Sequence, residues 1–297
     1  MRWKKEIGYG STHRTTAHPA WLHHRRGYWT EARQASTDHL GDALARAPVD
    51  RRRRGRAGEC GSVRDEARRA GGKKKRICTR NPGWPLDRFS TIGRAWEGDT
   101  VALIGGGASV TETQVAIARR VAQRIIVVNN AYQLAPDADV LYFADTQWWN
   151  WHKDDARFIN FEGEKISLFG NGAGTEDADV HIVRQIGGRG ISTDPAGVMT
   201  GSNGGYQALN IAVLAGAKRI LLLGIDMKGK HWHPEHPAPT HEAHYLQYAV
   251  HFSEAAKILK KMGIEVLNCS PISALTCFPK VDIASLLPDP DPAALPA

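Results

Sequence analysis

The chain has 297 residues, of which 42% are hydrophobic, with a formal net charge of +8. That length can bury a core without disulfide or metal staples, and the four cysteines (Cys60, Cys78, Cys269, Cys277) form no CxxC pair, which argues against a disulfide scaffold or zinc module and for a reducing, cytoplasmic setting. No signal-peptide pattern opens the sequence, and the longest apolar stretch, residues 211–223, is broken by Gly216, Lys218 and Arg219, which argues against a membrane span.

The charge sits at one end. Residues 1–80 hold 21 Lys and Arg against 8 Asp and Glu, whereas residues 81–297 hold 18 against 23. The first 80 residues show little apolar periodicity and contain the runs RRRRGR (51–56) and GGKKKR (71–76). Such runs repel themselves, so this segment reads as one of low order. It is either a solvated tail or an arm that neutralises nucleic-acid phosphates. A short helix near residues 37–46 fits, and the histidines His13, His18, His23 and His24 lack a cysteine framework for zinc.

From Asn81 the texture changes. The stretch NPGWP is a loop signature. After it, short β-branched or aromatic runs at 101–104, 124–128 and 140–143 read as strands, with weaker candidates at 165–168 and 180–183 and later ones at 219–223 and 265–267. Residues 111–122, 204–215 and 241–262 have helical spacing between them. This alternation predicts an α/β fold over residues 81–287: a Rossmann-like, mainly parallel sheet with helices on both faces. Ligands of such sheets bind outside the carboxyl ends of the strands. Residues 288–297, PDPDPAALPA, read as a disordered tail.

Two glycine-rich helix starts are the main candidate site. Gly105, Gly106 and Gly107 follow the first strand, and Ser109 with Glu112 has the spacing of a capping box. A glycine turn lets backbone approach a phosphate, and a helix N-terminus favours the charge. A dinucleotide is disfavoured because Val110 stands where a third glycine would be and Asn129-Asn130, not an acid, ends the second strand. Asparagine there can read a base or ribose through a paired donor and acceptor. The second start, Gly201, Ser202, Asn203, Gly204 and Gly205, opens the helix that turns at Gly216. Leu209, Ala212 and Val213 mark its inward face. Together the two turns suit a nucleotide or pyrophosphate clamped from two sides, against the plainer reading of two tight structural turns.

Strand ends supply the rest. Asp226 follows the strand at 219–223, and a histidine-rich stretch runs from His231 and His233 through His236, His241 and His244 to His251. His241, His244, Tyr248 and His251 share one helix face by spacing. A histidine there is a candidate base or proton shuttle, while Asp226 with His231 and His233 is the weaker metal alternative. Asp145 ends the third strand ahead of Trp148, Trp149 and Trp151, which either stack on a sugar or base or pack a lid. Ser270 and Ser273 close the domain in LNCSPISAL, where hydroxyls either bind an anion or merely end a strand.

These motifs, IGGGASV, VVNNAY, the stretch from Thr200 to Met227, HEAHY and LNCSPISAL, occur in one order over residues 100–280. In that order the chain resembles a group of phage and prophage proteins sometimes labelled morphogenetic. More distantly it resembles the bacterial lipooligosaccharide sialyltransferases and the 6-hydroxymethylpterin diphosphokinases. The sialyltransferase resemblance implies that Gly105, Gly106, Gly107, Ser109 and Asn129 or Asn130 contact a cytidine nucleotide. It places Asn203, Gly204 and Gly205 against phosphate or a sugar carboxylate, Asp226 beside the site, and His244 as the base for the acceptor hydroxyl. Asp145, Trp148, Ser270 and Ser273 are the expected substrate contacts. Gly106 and Ala108 stand where that family has asparagine and proline, and its arginine has no match at Val198-Met199. The implied function is a nucleotide-dependent transferase, most like a glycosyltransferase using a sugar nucleotide in a phage or prophage context, with no metal or other cofactor. The alternatives are a pterin-type diphosphokinase using ATP and Mg²⁺ and a noncatalytic phage morphogenesis or binding protein.

Overall fold

A computed structural model describes residues 74–80, 89–168, 174, 177–233 and 242–288. The basic segment up to residue 73, the loop at 81–85, His236, His241 and the tail beyond Pro288 lie outside the described residues, as does Cys60. Cys78, Cys269 and Cys277 are free thiols.

Ten strands alternate with helices among the described residues. They are β1 (Cys78–Arg80), β2 (Ser90–Ile92), β3 (Thr100–Ile104), β4 (Arg124–Val128), β5 (Val140–Phe143), β6 (Glu164–Leu168), β7 (Val180–Gly187), β8 (Gly197–Met199), β9 (Arg219–Leu223) and β10 (Glu265–Asn268). The helices are α1 (Glu112–Val121), α2 (Thr146–His152), α3 (Ala156–Ile159), α4 (Gly204–Ala215) and α5 (Glu242–Lys261). Short 3₁₀ turns span Asn129–Gln133 and Ile283–Leu286.

Strands β3 to β10 form one parallel sheet in the order β10-β9-β3-β4-β5-β6-β7-β8. This is the expected Rossmann-like α/β architecture. The reason is visible in the strands. In β3, Val101 and Leu103 face one layer while Ala102 and Ile104 face the other. In β9, Ile220 and Leu222 oppose Leu221 and Leu223 in the same way. A strand apolar on both sides needs cover on both faces, which crossover helices supply. One layer is α4 and α5, whose Leu209, Phe252, Ala255 and Leu259 pack on the sheet. The other holds α1, α2, α3 and the two 3₁₀ turns, with Val115, Tyr132, Trp148, Trp149, Phe158 and Ile283.

Helix α4 differs from the one-sided expectation. Residues Gly205 to Ala215 are all buried. The turn after β2 covers the far end of α4, where Trp96 N–H donates to Ala215 O at 2.8 Å and Gly98 N–H to Gly216 O at 3.0 Å. A helix apolar all round belongs inside. Gly216 closes it in the left-handed region, φ +100, where an added Cβ would lie 2.9 Å from the Glu97 Cα.

The short strand β1 falls in the segment that composition groups with the basic arm. It pairs antiparallel with β2, and Ile77 before it is buried in the core. The Glu164 carboxylate holds this edge by accepting from the Ile77 and Cys78 N–H groups at 2.7 and 3.0 Å.

Candidate functional site

Chain order makes the site. From β3 the chain moves outward through β4 to β8, then returns to lay β9 on the other side of β3. The crevice at such a reversal, outside the carboxyl ends, is where open parallel sheets bind ligands. Here it widens into a cleft of about 660 Å³. Its walls carry the Gly105–Gly107 turn, Asn129 and Asn130 after β4, Asp145 and Trp148 after β5, Asn203 to Gly205 at the start of α4, and Asp226 after β9. Most of the residues singled out along the sequence therefore share one space.

Backbone strain gathers there too. Among the described residues, Asn129, Ser202 and Met227 are the three non-glycine residues with positive φ, at +51, +55 and +51. All three line the cleft. Such conformations cost free energy and persist where surrounding structure enforces them, commonly at functional sites.

The two helix starts are not equivalent. At α1 the N-cap is Thr111, whose side chain accepts from Gln114 N–H while Gln114 Oε1 accepts from Thr111 N–H. This corrects the Ser109–Glu112 capping box: the helix begins two residues later than that pairing requires. Ser109 instead donates its N–H to Asp226 Oδ2 at 2.9 Å and its hydroxyl to Asp226 Oδ1. Asp226 is 2% exposed, so its carboxylate ties the first turn to the β9 loop. The glycines fit the same picture. A Cβ on Gly107 would lie 2.5 Å from Asp226 Oδ2 and 2.7 Å from Gly224 O, and one on Gly105 would lie 2.7 Å from Gly224 O. These two glycines admit the crossing β9 loop.

The α4 start faces the cleft. Asn203 caps it by accepting from Tyr206 N–H at 3.1 Å, and Gly204 and Gly205 line the wall. Its first turn contains no acidic side chain, so the positive end of the helix acts on whatever the cleft holds. Lys228 and Lys230 stand exposed on the rim.

His231, the first of the run of histidines, is by its sequence a candidate metal ligand with Asp226 and His233. The structure places it on the cleft wall, with Nδ1 3.0 Å from Gly106 O. A carbonyl only accepts, so Nδ1 carries hydrogen, and in the neutral ring the lone pair lies on Nε2. The His233 ring stacks on it at 5.3 Å. His244, by contrast, is exposed on α5 and does not line the cleft, whereas its neighbours Tyr245 and Tyr248 do. Burial, and then the charges of Asp145 and Tyr245, push the Tyr248 phenol up. His251, one face and two turns further along, is buried, with Nδ1 2.9 Å from Gly201 O.

No protein-family model matches the chain, and no curated protein matches it in sequence. Among solved structures the chain is similar to the MAf glycosyltransferase from Magnetospirillum magneticum AMB-1, with 14% identity and a TM-score of 0.48, over 67% of this chain but 36% of that one. It is similar to the sialyltransferase CstII from Campylobacter jejuni in complex with CMP-3FNeuAc, with 15% identity and a TM-score of 0.38, over 62% of this chain and 86% of that one. The CstII complex with cytidine-5'-monophosphate gives 13% identity and a TM-score of 0.40 over 62% and 85%. Identities this low leave the chemistry to be read from the cleft itself.

The tryptophans divide in two. Trp148 and Trp149 are buried, 5.0 and 5.6 Å from the Phe143 ring between centroids. Trp151 is 45% exposed and reaches the cleft. Ser270 and Ser273 do not line it. Ser270 Oγ accepts from Ile225 N–H at 3.1 Å, and Ser273 Oγ donates to Ile225 O at 2.8 Å. Both hydroxyls brace the β9 loop from below. Gln207, Thr200 and Gln185 complete the wall. The first of these reads as a helix-interior position in the sequence, and nothing in its spacing marks it.

Proposed function

We propose that the chain is a glycosyltransferase-like transferase whose cleft takes a nucleotide-activated sugar. The observation that carries this reading is convergence: an α4 N-terminus without acidic side chains, two rim lysines and His231 line one cleft at the chain reversal. In this reading the Gly204 and Gly205 end of α4 with Lys228 and Lys230 binds the phosphates. Asn129 and Asn130 face the nucleoside, and Trp151 offers its face to a sugar or base. The acceptor hydroxyl gives its proton to His231, whose Nε2 is buried and has to turn toward the cleft, as that oxygen bonds to the anomeric carbon. The bond from carbon to phosphate oxygen breaks, and the nucleotide leaves with its electron pair, stabilised by the helix end and lysines.

This step uses no metal. Mg²⁺ with ATP belongs to the diphosphokinase alternative, which Asp145 and Asp226 on the same cleft would serve. That alternative ranks second because both Asp226 oxygens already accept from Ser109. The assay is thermal unfolding with mononucleotides, sugar nucleotides, ATP and NAD, each with Mg²⁺ and with a chelator. A ligand at a hundred times its Kd adds about 2.7 kcal/mol of stability. Stabilisation by a nucleotide or sugar nucleotide in chelator, lost in Lys228→Ala/Lys230→Ala, is expected. Stabilisation by NAD alone overturns the reading, and stabilisation by ATP only with Mg²⁺ transfers it to the kinase.

A further inference from the structure

Two amides on the cleft wall have their oxygens engaged from behind. Gln207 is 5% exposed, and its Oε1 accepts the Tyr142 hydroxyl at 2.8 Å. Tyr142 is fully buried, and burial, followed by the charge of Asp145, pushes its phenol well above the usual range, so the hydroxyl keeps its proton and donates. Asn130 Oδ1 accepts the indole N–H of Trp148 at 2.6 Å, and an indole nitrogen can only donate. Each amide therefore turns its oxygen toward the protein and leaves its NH₂ for the cleft. The two partners come from opposite layers: Tyr142 belongs to the core under α4, and Trp148, in α2, to the core on the other face. The sequence reading gave asparagine a paired donor and acceptor, but in Asn130 the acceptor is already in use.

We propose that Asn130 and Gln207 form a donor-only pair that selects a ligand group presenting acceptor oxygens alone, a carboxylate or a carbonyl, with Tyr142 and Trp148 as the positioning residues that keep it so. The inference rests on the cleft being the ligand site of the proposed transferase, but not on the ligand carrying a nucleotide. Its chemistry sets an order. A carboxylate takes both N–H groups as charge-assisted bonds. A hydroxyl can accept but loses the partner for its own hydrogen. An ammonium meets only donors and is refused.

The full chain, ¹⁵N-labelled, tests this by NMR with sodium glucuronate, glucose and glucosamine as probes. The side-chain NH₂ signals that vanish in Gln207→Glu and Asn130→Asp identify the two amides. Both should shift saturably with glucuronate, about tenfold more weakly with glucose, and not with glucosamine; tenfold is the usual worth of one hydrogen bond to a charged group. Gln207→Glu, of nearly equal size, should weaken the glucuronate response by about tenfold or more. Tyr142→Phe keeps the ring and frees the amide to rotate, so the preference for glucuronate over glucose should fall several-fold, a change that looser packing alone would not produce. Glucosamine moving the two signals as much as glucuronate, or glucuronate leaving both unmoved, overturns the pair. An unchanged preference in Tyr142→Phe overturns the positioning role. A chain that answers glucuronate but no nucleotide keeps this inference and defeats the transferase reading; the converse result does the reverse.

Discussion

Replacing Gly107 by alanine distinguishes a glycine kept for ligand approach from one kept for packing. The added Cβ meets Asp226 Oδ2 at 2.5 Å, Asp226 Cγ at 2.6 Å and Gly224 O at 2.7 Å. None of these is the end of a flexible side chain with room to swing, because Asp226 is held by Ser109 and Gly224 O accepts the Gly107 N–H at 2.8 Å. Overpacking of this kind costs about 1–3 kcal/mol. Displacing Gly224 O weakens one backbone bond, worth about 1 kcal/mol, and displacing Asp226 weakens a charged one, worth about 1.5–3 kcal/mol. The expected loss is about 4 kcal/mol, or roughly 10 °C in Tm for a domain of this size. Urea unfolding followed by far-UV circular dichroism of the ligand-free protein reads it. Gly98→Ala is the control: φ is +81 but a Cβ there meets nothing within 4 Å, so it should cost only the backbone strain, about 1 kcal/mol. The reasoning fails if Gly107→Ala costs no more than Gly98→Ala while nucleotide affinity collapses. The glycine would then serve phosphate approach, as the sequence alone suggests.

Three further outcomes are expected. Once a substrate is found, His231→Ala should lower turnover by about 100-fold with little change in nucleotide affinity, whereas His244→Ala should be near wild type; the reverse pattern in steady-state kinetics restores His244 as the base. His181 Nε2 lies 3.8 Å from Glu164 Oε1, yet burial, and then Arg80 and Arg76, push its pKa down to about 4. The unfolded state therefore binds the proton first, and stability should fall as pH drops from about 6.5 to 4 and level off on either side, by about 3 kcal/mol in all. His181→Gln, measured by urea unfolding across that range, should flatten this component, and an unchanged slope would place the titration elsewhere. Finally, a chain starting at Asn81 should lose several kcal/mol relative to one starting at Lys74. It gives up the buried Ile77 side chain and both backbone bonds to Glu164; equal unfolding midpoints for the two would show that β1 contributes nothing.

Local pattern was enough for the sheet. Runs such as RIIVV at Arg124–Val128 and RILLL at Arg219–Leu223 are apolar on both alternating faces, which only a strand covered on both sides can satisfy, so parallel strands and two helical layers followed from composition and spacing. The glycine-rich starts and the strand-end Asn129, Asn130, Asp145 and Asp226 were legible for a related reason: strand ends share one edge whatever the order of the strands. The three-residue strands β1, β2 and β8 were not legible, since so short a segment carries no period and borrows its order from its neighbour. Nor did spacing distinguish Ser109 from Thr111 as the cap, because both have a polar residue three places on. Side-chain direction was decided by tertiary structure alone. His244 and His251 share a helix face by spacing, yet one is exposed and the other buried, because the buried side chains of α5 begin only at His251 and Phe252. Gln207 has no sequence signal at all, and His231 is marked only as one of a run of histidines. His231 acquires its tautomer from Gly106, more than a hundred residues away, and Gln207 its orientation from Tyr142. Both partners are brought near by the return of the chain across β3, and hydrogen-bond polarity between distant residues exists only after that crossing has been made.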